Sequence, residues 1–167
     1  MMIHVAAQDT QSTLTNLKDE DIQPNAVDLR VGKIFQMNEG AFVIGEEDGK
    51  EVKIHRGSHE VPTDGQGYWN LPPGTYEIVM ENVINVGADE AGWVITRSTL
   101  NRNGLYITSG LYDSGYNGVM AGALHVKSFA RIKKGTRVGQ FLLFKSQSLK
   151  KYDGDYGIGK IHDQKYT

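Results

Sequence analysis

Two short segments hold most of the side chains able to do chemistry. Arg97-Ser98-Thr99-Leu100-Asn101-Arg102-Asn103-Gly104 places two guanidinium groups and two hydroxyls between two β-type runs. A guanidinium grips phosphate with two parallel N–H bonds, and hydroxyls and backbone N–H groups complete the cradle, so this is the strongest anion site in the chain. The same residues would also make a polar strand end with solvated arginines. Gly110-Leu111-Tyr112-Asp113-Ser114-Gly115-Tyr116-Asn117-Gly118 sets a carboxylate and two aromatic rings in a turn with three glycines, where backbone can approach a ligand closely. Equally, Asp113 could cap its own turn while Tyr116 packs on a neighbour. His55 and His59 lie four apart, but Arg56-Gly57-Ser58 separates them and no HExxH pattern occurs, so no structural zinc site is expected. Gly154 to Lys160 has glycines and a lysine without the Gly-Lys-Ser/Thr of a P-loop.

The elements that must position these groups read as β. Val27 to Val31 alternates, Lys33-Ile34-Phe35 follows Gly32, and Ala41 to Ile44 leads through Glu46-Glu47-Asp48-Gly49-Lys50, a hairpin turn, into Val52 to His55. Further strands are expected at 75–81, 93–96, 105–108, 119–126 and 138–144, with turn signals about every ten residues. Before them, Leu14 to Ile22 suits a short helix capped by Thr13 or Thr15 and stopped by Pro24. Arg56 to Asn70 lacks any period and reads as a surface loop. The expected class is all-β, a sandwich or barrel.

A chain of 167 residues is most economically one domain. Its 20 glycines and only four prolines exceed average glycine usage without any collagen-like period. Eighteen basic and 20 acidic side chains leave a net charge of −2, so there is no basic footprint for nucleic acid. The absence of cysteine excludes disulfides, Cys-zinc sites and thiol catalysis. Met1 to Asp9 lacks a basic, apolar leader and no run approaches the ~18 apolar residues of a membrane span, so a soluble, cytoplasmic protein is expected. After Phe144 the apolar content collapses. The tail 146–167, rich in Lys, Gly and Tyr, is expected to find no core on its own domain, 1–145.

Read in order, Asn25 to Gly32, Leu71-Pro72-Pro73-Gly74, Gly92 to Leu105, Gly110 to Gly118 and Gly135 to Phe141 resemble the dUTPase and dCTP deaminase superfamily over roughly residues 13–160. Five blocks in the right order make the likeness specific. The resemblance implies a distorted, jelly-roll-like β-sandwich (a dUTPase-like β-clip) with a short N-terminal helix. It also implies a homotrimer with active sites at subunit interfaces, closed by a flexible C-terminal arm, 146–167. It assigns triphosphate binding to Arg97, Ser98 and Arg102, and nucleotide-pocket roles to Tyr116, under the deoxyribose, and to Gln140. Asp28 is placed near Mg2+-bound phosphates through water, Asp113 becomes the water-activating carboxylate, and Tyr156 and Lys160 on the arm are expected to bind the nucleotide, Lys160 at its terminal phosphates. The implied partners are a deoxynucleoside triphosphate and two further copies of the chain, with no nucleic acid or membrane.

The superfamily's two reactions separate on one residue. Deamination requires a Glu five residues after Gly118, and this chain has Ala123 there. Gly122, Leu124 and His125 supply no carboxylate, and His125 is assigned to the opposite strand face. Losing a general acid–base group costs about 10²–10⁴-fold, so pyrophosphohydrolysis of dUTP is expected, with dCTP hydrolysis or deaminase-like activity as the alternative. A non-catalytic trimer, regulatory or structural, is the alternative of another class. Three departures bear on base choice. Only 113 − 97 = 16 residues separate Arg97 from Asp113, Tyr112 precedes Asp113 in place of the usual Ile, and the tail resembles the deaminase arm more than the hydrolase arm.

Overall fold

The computed structural model describes all residues, Met1–Thr167. Thirteen strands form: β1 (Met2–Ile3), β2 (Thr13–Leu14), β3 (Val27–Met37), β4 (Val43–Glu47), β5 (Lys50–Ile54), β6 (Ser58–Glu60), β7 (Tyr68–Leu71), β8 (Gly74–Asn85), β9 (Glu90–Thr96), β10 (Leu105–Thr108), β11 (Asn117–Val126), β12 (Ala130–Lys133) and β13 (Arg137–Lys145). One single-turn helix, α1 (Ser98–Asn101), and two 3₁₀ turns, Asp19–Asp21 and His162–Tyr166, complete the chain.

Strand β3 organises the rest. Its first half pairs antiparallel with β13, setting Asp28 opposite Gln140, and its second half pairs with β8, setting Phe35 opposite Glu77. The register slips at Gly32, and such an extra residue bends a strand. A Cβ there would lie 3.1 Å from Glu81 Cγ and 3.3 Å from its backbone nitrogen, so glycine permits the close corner. One layer therefore holds β1, β13, β9 and the start of β3, and the other holds the end of β3 with β6, β8, β2, β11 and β10. Between them lie side chains such as Leu29, Ile34, Ile78, Leu124, Val138 and Phe141, all fully or almost fully buried. β4 and β5 stand apart as a hairpin whose turn residues Asp48 and Gly49 both adopt positive φ, +51° and +73°, as the Asp-Gly pair requires.

Two expectations change. Residues 14–22 form no α-helix: Thr13 and Leu14 pair with β8, Thr15 Oγ1 accepts the Val83 N–H at 2.9 Å, and Asn16 sits at φ +53°. Cross-strand bonds thus capture the segment, and only the Asp19–Asp21 turn remains, with buried Asp21 gripping Arg30 at 2.6 and 3.0 Å. Within 56–70, β6 extends the sheet beside Phe35–Met37, while β7 pairs with β12 and buries Trp69, whose Nε1 donates to Val61 O at 2.8 Å.

The N-terminal segment is pinned by one carboxylate. Glu90 is fully buried, and burial opposes its ionisation. Hydrogen bonds from Ser12, Lys145, Thr10 and the Gln11 N–H outweigh that cost and hold its pKa at about 2. A folded pKa below the unfolded value stabilises above about pH 4.5, and that stability drains as pH falls toward 2. Thermal melts should therefore show Tm falling from pH 5 to pH 3, with a smaller fall in Glu90→Gln, which is already destabilised at neutral pH by up to about 3 kcal/mol.

Candidate functional site

Residues directly opposite in an antiparallel ladder share a face, so the β3–β13 register brings Asp28 and Gln140 together. Gln140 Nε2 donates to Asp28 Oδ1 at 3.0 Å, while Oδ2 faces Arg137 Nη1 at 3.3 Å and Arg97 Nε at 3.4 Å. Arg97 follows β9, its N–H bonded to Val138 O at 3.0 Å. Asp28 is wholly buried, whereas the two arginine side chains are 30% and 33% exposed. A buried carboxylate requires such partners. Two cations against one anion leave a net positive charge whose open edges suit an oxyanion. Ser98 opens α1 and Arg102 follows it; both are exposed, and Arg102 has no ion-pair partner. Arg137 was not singled out from the sequence, although it is the cation that opens β13.

The second constellation lies between β10 and β11. Tyr112 and Tyr116 alternate inward and pack edge to face at 5.2 Å, donating to Ala121 O at 2.9 Å and Val119 O at 2.7 Å. Burial pushes both phenols above their ordinary pKa, so both remain protonated. Asp113, between them, is exposed; its carbonyl accepts the Tyr116 N–H at 3.0 Å, and its carboxylate has no hydrogen-bond partner. The two rings line a cavity of about 500 Å³ with Gly110, Leu111, Ala121 and Gly122. A second cavity of about 390 Å³ adjoins it, lined by Ala123 and sharing Glu77, Gly122 and His162. Glu77 is the residue that reading along β11 could not find. It lies directly across the ladder from Ala123, 46 positions away in sequence (123 − 77), so its carboxylate occupies the same face. His125 also lies on that face, since residues two apart on a strand share one; the opposite-face assignment was wrong. It is occupied by Thr108 Oγ1 at 3.0 Å, Thr75 Oγ1 at 3.3 Å and a stacked Tyr106 ring at 4.4 Å.

The tail departs furthest from expectation, because it folds onto its own chain. Tyr152 N–H donates to Ser114 O and Ile158 N–H to Asn117 O, both at 2.8 Å, and Lys53 meets Asp155 at 2.8 Å. Gly157 sits at φ +114° against Gly118, where a Cβ would lie 2.7 Å from Gly157 Cα. Main-chain bonds, tyrosine packing on Tyr116 and side-chain bonds such as Lys53–Asp155, rather than aliphatic burial, hold the segment. Tyr156 lies edge-on to His162 at 4.8 Å, and Lys160 is 3.9 Å from Asp153; neither is bonded to Arg97, Asp28 or Gln140. At the far end, Lys165 Nζ donates to Glu77 at 2.7 Å and Tyr166 donates to the other Glu77 oxygen.

The predicted residues thus form two groups. β9 meets the turn group through Gly92, which bridges Tyr112, and the anion group through Arg97, five residues on. At about 3.3 Å per residue Gly92 and Arg97 lie about 16 Å apart along the extended chain, and the Arg97 side chain contacts Asp28 and the Arg137 carbonyl, not Asp113.

Residues 2–146 match the dCTP deaminase-like family model. The chain belongs to the dCTP deaminase-like family. Similar curated members are named probable deoxyuridine 5′-triphosphate nucleotidohydrolases. That of Halobacterium salinarum is 32% identical over 83% of this chain and 84% of its own. That of Methanopyrus kandleri is 32% identical over 85% and 91%. Among solved structures, the 2′-deoxycytidine 5′-triphosphate deaminase of Agrobacterium tumefaciens shares the fold at TM-score 0.57 and 17% identity over 78% of this chain, which spans 43% of that one. The dUTPase of Staphylococcus aureus phage phi11 aligns at TM-score 0.50 and 11% identity over 89% of this chain. The all-β sandwich of this family member is therefore common to both kinds of protein, and no helix in it is long and apolar enough to cross a membrane.

Gly157→Ala adds a side chain at positive φ with its Cβ 2.7 Å from Asn117 O. Trypsin cleavage at Lys150 and Lys151 should accelerate several-fold in this variant while the β-sandwich keeps its far-ultraviolet circular dichroism.

Proposed function

We propose that the chain hydrolyses dUTP to dUMP and diphosphate as a homotrimer, each active site joining the anion group of one copy to the turn group of another. The separation of the anion group from the turn group on a single chain, Gly92 beside Tyr112 lying about 16 Å along the chain from Arg97, carries this reading. The names of the curated relatives support the substrate. In this reading Arg97, with Ser98, Arg102 and Arg137, binds the triphosphate, and Gln140 and Asp28 hold the arginines in place. Tyr116 and the cavity beside it take the nucleoside. Asp113, exposed and unpaired, orients a water and accepts its proton as oxygen attacks the α-phosphorus and the bond to the β-phosphate bridge breaks. The arm 146–167, bearing Tyr156 and Lys160, would leave its docked position to close over the assembled site and exclude water.

The chain groups no three metal-ligating side chains, and both Asp28 oxygens are committed to Gln140 and the arginines. Mg2+ would therefore be carried by the substrate phosphates, and Asp28, wholly buried with both oxygens taken, does not fit the water-mediated role that the resemblance implies for it. When bound, the ion neutralises phosphate charge.

Asp113→Asn should keep nucleotide affinity and lower turnover by about 10²-fold or more in a diphosphate-release assay. Arg97→Ala should be similarly inactive through weak binding. Unfolding the two variants together and refolding the mixture should restore part of the activity, because some sites then combine an intact Arg97 with an intact Asp113. A mixture as inactive as either parent, or a chain sedimenting as a monomer at micromolar concentration, would exclude shared sites. Ammonia released from dCTP as fast as diphosphate would exclude a pure hydrolase.

A further inference from the structure

Glu77 lies in a row of side chains crossing the sheet, Phe35–Glu77–Ala123–Thr108, fixed by three successive ladders. Its neighbours in the row are an aromatic ring, a methyl group and a hydroxyl; Glu60 lies beyond Phe35 on β6, and Asp163, the other carboxylate lining the first cavity, is taken by the Gly157 N–H and His162. Its side chain is 17% exposed and lies where the two cavities join. A carboxylate can only accept hydrogen bonds, and leaving one half-buried without donors is costly.

The donors it has come from the chain's own C-terminus. Lys165 and Tyr166 each bond one of its oxygens, and Ser58 Oγ adds a third contact at 3.3 Å. Tyr166 stands edge to face on Phe35 at 5.8 Å and on His162 at 6.0 Å. Burial, and then the bond to Glu77, raise the phenol's pKa, so it stays a donor. A flat six-membered ring thus enters between aromatic walls and delivers one edge hydrogen to Glu77. A pyrimidine with an N–H on its outer edge has the same shape and the same donor.

We propose that Glu77 is a specificity-determining acceptor for the ring N–H of the substrate base, and that Tyr166 holds this acceptor until the base displaces it. The inference rests on the dUTP reading above. Uracil offers N3–H there, whereas cytosine presents a lone pair at N3 that the carboxylate repels. The position is open to this use because β11 carries Ala123, whose small side chain leaves the Glu77 oxygens facing the cavities.

Binding is the readout, so that the outcome does not depend on turnover. Calorimetry of the full-length protein with α,β-imido-dUTP and Mg2+ gives Kd, and N3-methyl-dUTP is titrated as a competitor. The unaltered protein should reject the N3-methyl ligand. Glu77→Ala should raise Kd about tenfold or more, the scale of a lost bond to a charged group, and should largely abolish discrimination between the two ligands. Glu77→Gln, which keeps an acceptor oxygen, should recover part of both. Tyr166→Phe removes only the competing donor and should lower Kd, a change opposite in sign to that of Glu77→Ala. A purely structural Glu77 would weaken binding of both ligands alike and leave discrimination intact, which would overturn the proposal. So would an unchanged or raised Kd in Tyr166→Phe, and that variant decides the matter if Glu77→Ala melts before it can be assayed. An unaltered protein that binds the analogue but does not hydrolyse dUTP would remove the hydrolase reading and leave the role of Glu77 standing.

Discussion

The β3 ladder is shared between two sheets, and most of the functional geometry follows from it. Hydrogen bonds to β13 fix Asp28 opposite Gln140 in one layer, and bonds to β8 fix Phe35 opposite Glu77 in the other. The bulge at Gly32 turns the strand between them. A one-residue slip on either side would send Asp28 or Phe35 to the wrong face, because side chains alternate with period two. The buried faces on both sides of the corner, with Leu29 and Ile34 inaccessible to solvent, penalise such a slip by exposing apolar surface.

Within that frame, charge is handled differently at the two ends. Asp28 is buried against two arginines and a glutamine, an arrangement that keeps the guanidinium groups fixed while leaving their outer edges open. The carboxylate orients the cations, and the surplus positive charge is what an anion meets. At the other end Glu77 has no arginine. It is satisfied by a lysine and a phenol from the last residues of the chain, groups on a segment held by main-chain bonds, aromatic contacts and side-chain ion pairs rather than by aliphatic burial. Segments with few buried apolar contacts occupy the low-stability end of a fold, which suits groups that must be exchanged for a ligand.

Much of this was legible in the residues. The alternation and the Asp-Gly turn gave β3, β4, β5, β11 and β13 their places, because period two and a positive-φ turn are local properties. The Arg97 and Asp113 segments stood out by residue type alone. Where the reading went astray, a long-range partner had overridden a local preference. Leu14 to Ile22 has a helix-compatible pattern, yet Leu14 and Thr15 are taken up by β8. The tail 146–167 is too polar to pack by hydrophobicity, yet its N–H groups reach carbonyls in the 114–117 turn, and its tyrosines find aromatic walls.

The sequence by itself determined the all-β class, the family, the two chemical constellations and the absence of a carboxylate at position 123, since these depend on residue identity, order and short spacing. Tertiary structure decided the rest. Only pairing across β8 and β11 could set Glu77 beside Ala123, only the β3–β13 register could add Arg137 to Asp28, and only the path of β9 could set Gly92, beside Tyr112, about 16 Å along the chain from Arg97. Each of these facts joins residues dozens of positions apart, and cross-strand register is set by the sum of packing on both faces of a sheet, which no single stretch of sequence contains.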